Sequence, residues 1–186
     1  IIENYRPISL TCNDYKIFSK MLQLRFNEVI NEIIDIDQNG FIPNRFIGEN
    51  NMLLHELVMH MQKMAEEDEG EDEGYLLFLD FEKAFDRVDH DFMFSCLSNF
   101  GIGNNFLNMI KLLYANAQSK VRVNNTDSDT FDLRSGVRQG CPLSPLLFAC
   151  VVETMACLVR ENPNIDGIPI PGTDVEVRLS QYADDT

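Results

Sequence analysis

The stretch Gln181-Tyr182-Ala183-Asp184-Asp185 sets two carboxylates side by side at the end of a largely apolar segment, one residue before Thr186. Adjacent carboxylates repel each other and resist burial, so a fold that keeps them has a cation to place between them. A third carboxylate, Asp80, ends the most hydrophobic run of the chain, Tyr75-Leu76-Leu77-Phe78-Leu79. Three such carboxylates are the donor set that a two-metal nucleotidyl-transfer site needs.

The pattern around these two segments predicts an α+β fold. Residues 75–81 are continuously apolar rather than alternating, which predicts a strand buried on both faces. Upstream, Ile17, Phe18, Met21, Leu22, Phe26, Val29, Ile30 and Ile33 recur at helical spacing and predict one helix from a cap at Asp14 to about Asp35. Residues 38–45 form a loop marked by Asn39-Gly40 and Pro43, and a second amphipathic helix is expected over 48–65. Helices follow at 91–100 and 104–115, then a hairpin of 119–124 with 130–133 around 125–129. Ser144 is positioned to cap a helix with Pro145 at its first position, running to Arg160 and stopped by Pro163. A last hairpin, 168–170 with 175–182, turns at Pro171-Gly172 and delivers Asp184. Together these elements predict a mixed sheet, mostly antiparallel, backed by helices.

Composition bounds the function classes. With 186 residues the chain can bury a real core. No apolar run is long enough to span a bilayer, and the first residues do not read as a signal peptide. The chain opens without Met and stops directly after a motif, so a longer parent protein is expected. The five cysteines, Cys12, Cys96, Cys141, Cys150 and Cys157, show no zinc-type spacing and read as reduced thiols of an intracellular protein, nuclear or cytoplasmic. The net charge of −15 opposes nucleic-acid binding at face value. Seven of the acids lie in Glu66-Glu67-Asp68-Glu69-Gly70-Glu71-Asp72-Glu73, a solvated loop without the ligand alternation of an EF-hand. The remainder is still acidic.

Two further blocks carry chemistry. On its own, Asp80 reads as readily as a turn-capping residue at a strand end. In Asp80-Phe81-Glu82-Lys83-Ala84-Phe85-Asp86-Arg87-Val88, however, a bulky aromatic follows the aspartate by five residues. The block Gly136-Val137-Arg138-Gln139-Gly140-Cys141-Pro142-Leu143-Ser144-Pro145-Leu146-Leu147-Phe148 is a glycine-containing loop feeding a helix start, which favours close approach of an anionic ligand.

In this order, Asp80 with Phe85, Arg138-Gln139-Gly140 with Ser144-Pro145-Leu146-Leu147-Phe148, and Tyr182-Ala183-Asp184-Asp185 resemble the three palm motifs of reverse transcriptases. Tyr5-Arg6-Pro7-Ile8-Ser9-Leu10 and Gln38-Asn39-Gly40-Phe41-Ile42-Pro43-Asn44-Arg45 resemble finger motifs of the non-LTR, LINE-type retrotransposon enzymes. Group II intron maturases, retron enzymes and telomerases share the palm, and the two finger blocks favour the LINE type without excluding maturases. The resemblance implies a right-hand polymerase domain with residues 1–74 fingers-like, 75–186 mostly palm, and the thumb missing.

It also implies an RNA-directed DNA polymerase, with RNA template, DNA primer and deoxynucleoside triphosphates as partners and no membrane. Asp80 and Asp184 would be the main ligands of two Mg²⁺ ions about 4 Å apart, with Mn²⁺ as a possible substitute. Asp185 and the backbone carbonyl of Phe81 would assist. Arg45 would reach the triphosphate as a bidentate guanidinium, and Gln139 and Gly140 would line the floor under the incoming nucleotide. Phe85 would occupy the space of a ribose 2′-hydroxyl and select deoxynucleotides. An idle or domesticated relative that only binds nucleic acid or a protein is the alternative, favoured by the acidity. Residues 1–186 alone are expected to be nearly inactive.

Overall fold

Helix α6, Ser144–Glu161, is the axis of the packing, because its sequence is apolar around most of its circumference. Leu146, Leu147, Phe148, Ala149, Cys150, Val152 and Ala156 are all buried along it. It lies against α4, His90–Asn99, which packs on α5, Asn104–Tyr114, and α5 in turn touches α1, Asn13–Phe26. Met93 and Leu97 of α4, Ile110 of α5 and Leu22 of α1 are fully buried in this stack. The computed structural model describes residues 8–67, 74–170, 172–173 and 175–186. Most of the acidic run, the first half of the Tyr5-to-Leu10 block and Pro171 fall outside them.

The helix starts follow local chemistry with three corrections, the first being that Cys12 rather than Asp14 holds the cap position of α1, with no side-chain cap bond. Asp89 caps α4, its carboxylate accepting from the Phe92 amide at 2.8 Å. Ser144 does not cap α6: Leu143 holds the cap position, Ser144 is the first helical residue, and its buried side chain makes no cap bond. Pro145 does stand in the first turn, where its missing N–H costs nothing. The expected helix 14–35 is broken. α1 ends at Phe26, the Glu28 and Val29 amides bond to Arg25 and Phe26 in tight turns, and a short α2, Ile30–Ile33, restarts. Phe26, Ile30 and Ile34 are buried on either side of the break, each 1% exposed or less. α3, Ile47–Glu67, matches expectation in extent, but Met52 and Met59 point to solvent rather than into packing.

The expected mixed sheet is not formed among the described residues. Its place is taken by three two-stranded antiparallel ribbons. In the first, β1, Gln118–Ser119, pairs with β4, Phe131–Asp132. Inside the same hairpin β2, Arg122–Val123, pairs with β3, Thr126–Asp127. The tip is the two-residue turn Asn124-Asn125, both with positive φ, rather than a five-residue loop. The return strand carries one extra residue between its two ladders, a bulge that accounts for the interruption. The third ribbon pairs β5, Ile168–Pro169, with β6, Glu176–Val177.

The segment 75–81 is extended but is not a doubly buried strand. Tyr75, Leu77 and Phe78 are at least 70% exposed, and Leu79 and Asp80 pair with the segment at Asp185 and Thr186. An apolar run specifies a strand's affinity for cover, but burial requires neighbours on both faces. Here the described partner is the short segment at Asp185-Thr186.

Candidate active site

Asp184 stands at the tip of a tight turn. Tyr182 and Asp185 exchange both backbone hydrogen bonds, at 2.9 and 3.1 Å, leaving Ala183-Asp184 as a two-residue loop. Ala183 has φ of 59°, while Asp184 is not in the left-handed region, the pattern of a type II′ turn. Asp185 leaves the turn and bridges Asp80 in antiparallel register. The neighbouring Leu79 and Thr186 exchange both backbone bonds, at 2.7 and 3.0 Å. Asp80 and Asp185 are thus a directly opposed pair on the non-hydrogen-bonded rung, so both carboxylates project from one face.

Directly opposed like charges destabilise an antiparallel pair. Among the described residues, none of Asp80, Asp184 and Asp185 enters an ion pair that would relieve this. All three offer hard oxygen donors, the set that Mg²⁺ and Mn²⁺ accept. The structure brings Asp80 opposite Asp185 and puts Asp184 next to them in sequence. It does not close the three into a metal cage, since no described group of three or more His, Cys, Asp or Glu is gathered at ligating distance. The donor chemistry therefore fits a divalent cation, with Asp184 having to turn in to join the opposed pair.

Phe85, five residues after Asp80, stands in a 3₁₀ turn, Ala84–Arg87, entered through Lys83 with φ of 54°. Its ring stacks on Phe148 of α6 at 4.7 Å and meets the edge of Phe41 at 5.9 Å. The turn is stitched to the glycine loop: Val137 N–H donates to the Phe85 carbonyl at 2.7 Å, and Gly136 N–H to that of Val88 at 2.7 Å. Gly136 has φ of 87°, and a Cβ there would press on the Asp86 backbone at 3.0 Å, so glycine is required. Gln139 is half-buried, and its carbonyl accepts from the Ser9 amide at 3.1 Å, which joins the glycine loop to the end of the Tyr5-to-Leu10 block. Gly140 and Phe81 are exposed, beside that loop and next to Asp80 respectively.

Arg45 and Arg138 are both committed to structure. The Arg45 guanidinium donates to the carbonyls of Ile34 at 2.8 Å, of Gln38 at 2.8 Å and of Asp35. Those bonds hold carbonyls of the segment that follows α2, from Ile34 to Gln38, and reaching a triphosphate would require releasing them. Arg138 donates to the Tyr15 hydroxyl and the Leu113 carbonyl, both at 2.8 Å, and lies 4.7 Å over the Tyr15 ring. Burial, the largest cause, pushes the Tyr15 and Tyr114 phenols above their ordinary range, so both stay neutral beside it.

Several residues that organise the site carry no signal in one sequence. His90 bonds the Gly136 carbonyl at 2.9 Å and fixes the glycine loop to α4. Asn50 of α3 donates to the Gln181 carbonyl at 3.0 Å and to Ser180 Oγ at 2.8 Å. Arg160, in the last turn of α6, grips Asp37 at 2.9 Å and the buried Glu153. The Asp37 carbonyl then accepts from the Gln181 amide at 2.8 Å. A basic residue near a helix C-terminus was the one available hint for Arg160; Glu153 lies earlier on the same helix, and Asp37 is remote in sequence.

A family model described as reverse transcriptase (RNA-dependent DNA polymerase) matches residues 2–186. The chain is 38% identical, over its whole length, to the transposon TX1 uncharacterized 149 kDa protein of Xenopus laevis. It is 31% identical over 85% of its length to a retrovirus-related Pol polyprotein from the type-1 retrotransposable element R2 of Nasonia vitripennis. A probable RNA-directed DNA polymerase from transposon BS of Drosophila melanogaster matches 98% of the chain at 29% identity. The chain spans 14%, 15% and 19% of the lengths of these three relatives. With the family pattern running from end to end and retrotransposon proteins as its relatives, the chain belongs to the reverse transcriptase family, in its non-LTR retrotransposon branch.

Proposed function

We propose that the protein containing this chain is an RNA-directed DNA polymerase that copies a retrotransposon RNA from a DNA primer, using deoxynucleoside triphosphates. Residues up to about 74 serve as fingers and the remainder as most of the palm. The observation that carries the reading is the backbone pairing that sets Asp80 opposite Asp185, with Asp184 at the adjoining turn tip.

Asp80, Asp184 and Asp185, with the Phe81 carbonyl, would hold divalent ions, Mg²⁺ or Mn²⁺ in its place. When bound, such ions supply activation of the primer hydroxyl and neutralisation of charge on the leaving pyrophosphate. The chain's own part is positioning. The turn at Ala183-Asp184 and the bridge to Asp80 converge the carboxylates from two segments remote in sequence. The glycine loop at Gln139-Gly140 offers a surface over which a nucleotide can lie close to backbone. Phe85, stacked on Phe148, presents a rigid apolar edge that neither accommodates nor hydrogen-bonds a ribose 2′-hydroxyl. Arg45 supports the loop that borders the site, and contact with triphosphate would follow its release from the carbonyls of Ile34, Asp35 and Gln38. A nuclear or cytoplasmic location accords with the unpaired cysteine pattern.

Primer extension by the full-length protein on a primed RNA template tests this. Asp184→Ala should remove activity by a factor of about 10³ or more, the scale of losing transition-state charge stabilisation. Full extension by that variant would rule out the assignment. A folded parent protein that binds primed template without extending it would favour the binding-only alternative.

A further inference from the structure

Ala183 occupies a conformation that suits glycine. At φ of 59° its Cβ strains the backbone, and a non-glycine residue stays there only where its surroundings over-determine it. The surroundings are supplied by one side chain. Gln38 is 1% exposed, and its Oε1 accepts from the Ala183 amide at 2.8 Å and from the Gly40 amide at 2.7 Å. Its Nε2 donates to the Ala183 carbonyl at 3.2 Å. Both backbone groups of the strained residue are therefore held by the two ends of one carboxamide.

The segment around Gln38 leaves the turn no slack. A Cβ on Gly40 would lie 2.1 Å from the Ala183 nitrogen and 2.7 Å from its Cα, so backbone packs directly on backbone. The Asn39 amide donates to the Gln181 carbonyl at 2.9 Å, and the Gln181 amide to that of Asp37 at 2.8 Å. Asn50 adds a side-chain tie to Asn39 at 2.8 Å. Charge chemistry explains the residue type. A lysine could hold only the carbonyl and would compete as a cation for Asp184 and Asp185. A glutamate would set an acceptor against the Ala183 carbonyl and add negative charge. The carboxamide offers one acceptor and one donor and no charge.

We propose that Gln38 is a positioning residue for the aspartate turn: its carboxamide holds Ala183 left-handed and thereby fixes where Asp184 and Asp185 are presented. The proposal rests on the reading of those aspartates as the polymerase site. It predicts an effect on turnover rather than on nucleotide binding, because Gln38 itself faces the turn and no open surface.

The test uses the full-length protein, with Gln38→Ala and the near-isosteric Gln38→Met, each checked for folding by circular dichroism. Hydrogen exchange in the peptide containing residues 181–185 should quicken in either variant while exchange in α6 is unchanged. The kcat for deoxynucleotide addition should fall by about 10²-fold, the scale of a misplacement near 1 Å, with KM within about twofold. Ala183→Gly, which removes the strain, should restore about tenfold of that loss when added to Gln38→Ala. Unchanged exchange over 181–185, an unchanged kcat in a folded variant, or no recovery with Ala183→Gly would each overturn the proposal. Asp184→Ala separates the two readings: activity retained there removes the polymerase site itself, whereas its loss together with a silent Gln38→Ala removes only the positioning role.

Discussion

Phe85 shows how one residue can serve packing and selection at once. Its face is spent on Phe148 and its flank on Phe41, so the ring is fixed rather than free to swing aside. Phe85→Ala should raise the ribonucleotide-to-deoxynucleotide ratio of kcat/KM by at least about tenfold, equivalent to about 1.4 kcal/mol of discrimination. Phe85→Tyr, which keeps the ring, should leave the ratio near the parent value. Single-nucleotide incorporation on a primed template measures both, and an unchanged ratio in the alanine variant would remove the selective role. At this scale the sequence was informative about which residues bear charge or bulk. It was silent about Gln38, since a glutamine in a loop has no pattern that announces burial. Arg45 shows the converse: its charge drew attention, yet three carbonyls already hold it.

At the scale of elements, the helices were the most legible part. The amphipathic pattern that predicts α3 and the Pro and Gly signals that bound α4, α5 and α6 are local, and each helix makes its own backbone bonds. Their packing is where stability concentrates. Leu147 is fully buried on α6, in the core that also contains Met93 and Leu97. Leu147→Ala should destabilise the fold by about 2–5 kcal/mol, the range for a core leucine leaving a cavity, measured as a shift of the urea midpoint. Leu158→Ala on the same helix removes a side chain that is 71% exposed and should shift it little. The strands were less legible for a physical reason. A ladder exists only between two segments, so 75–81 carries a strand's composition while its bridge to a described segment lies at Leu79 and Asp80.

At the scale of the whole molecule, an ionic tie joins α6 to the loop beneath the aspartate turn. Arg160 bonds Glu153, which is 2% exposed, and Asp37. Burial, the largest cause, pushes the Glu153 carboxyl above its ordinary range against the opposing pull of Arg160, and Asp37 is raised in the same way. A carboxyl with a raised folded pKa binds its proton more tightly in the folded state. Its favourable contribution is full below the ordinary carboxylate pKa and is lost as pH rises through the raised value. Glu153→Gln removes that dependence. The thermal midpoint of the parent minus that of Glu153→Gln should therefore fall as pH rises from mildly acidic to neutral, by about 2–4 °C per kcal/mol lost. A difference that grows with pH would mean that the Arg160 pair outweighs burial.

The sequence by itself determined the helical periods, the order of the chemistry-bearing blocks, the family they resemble and the three carboxylates. Those properties reside in residue types and short-range spacing, which physics reads locally. Only the tertiary structure decided that Asp80 opposes Asp185, that the carboxamide of Gln38 holds Ala183, and that Arg45 supports a loop. The first two depend on segments more than a helix apart meeting in space, and all three on pairings that no local pattern names. The side-by-side aspartates are legible in the sequence; the direction in which they are presented is a property of the turn and of the buried loop that grips it.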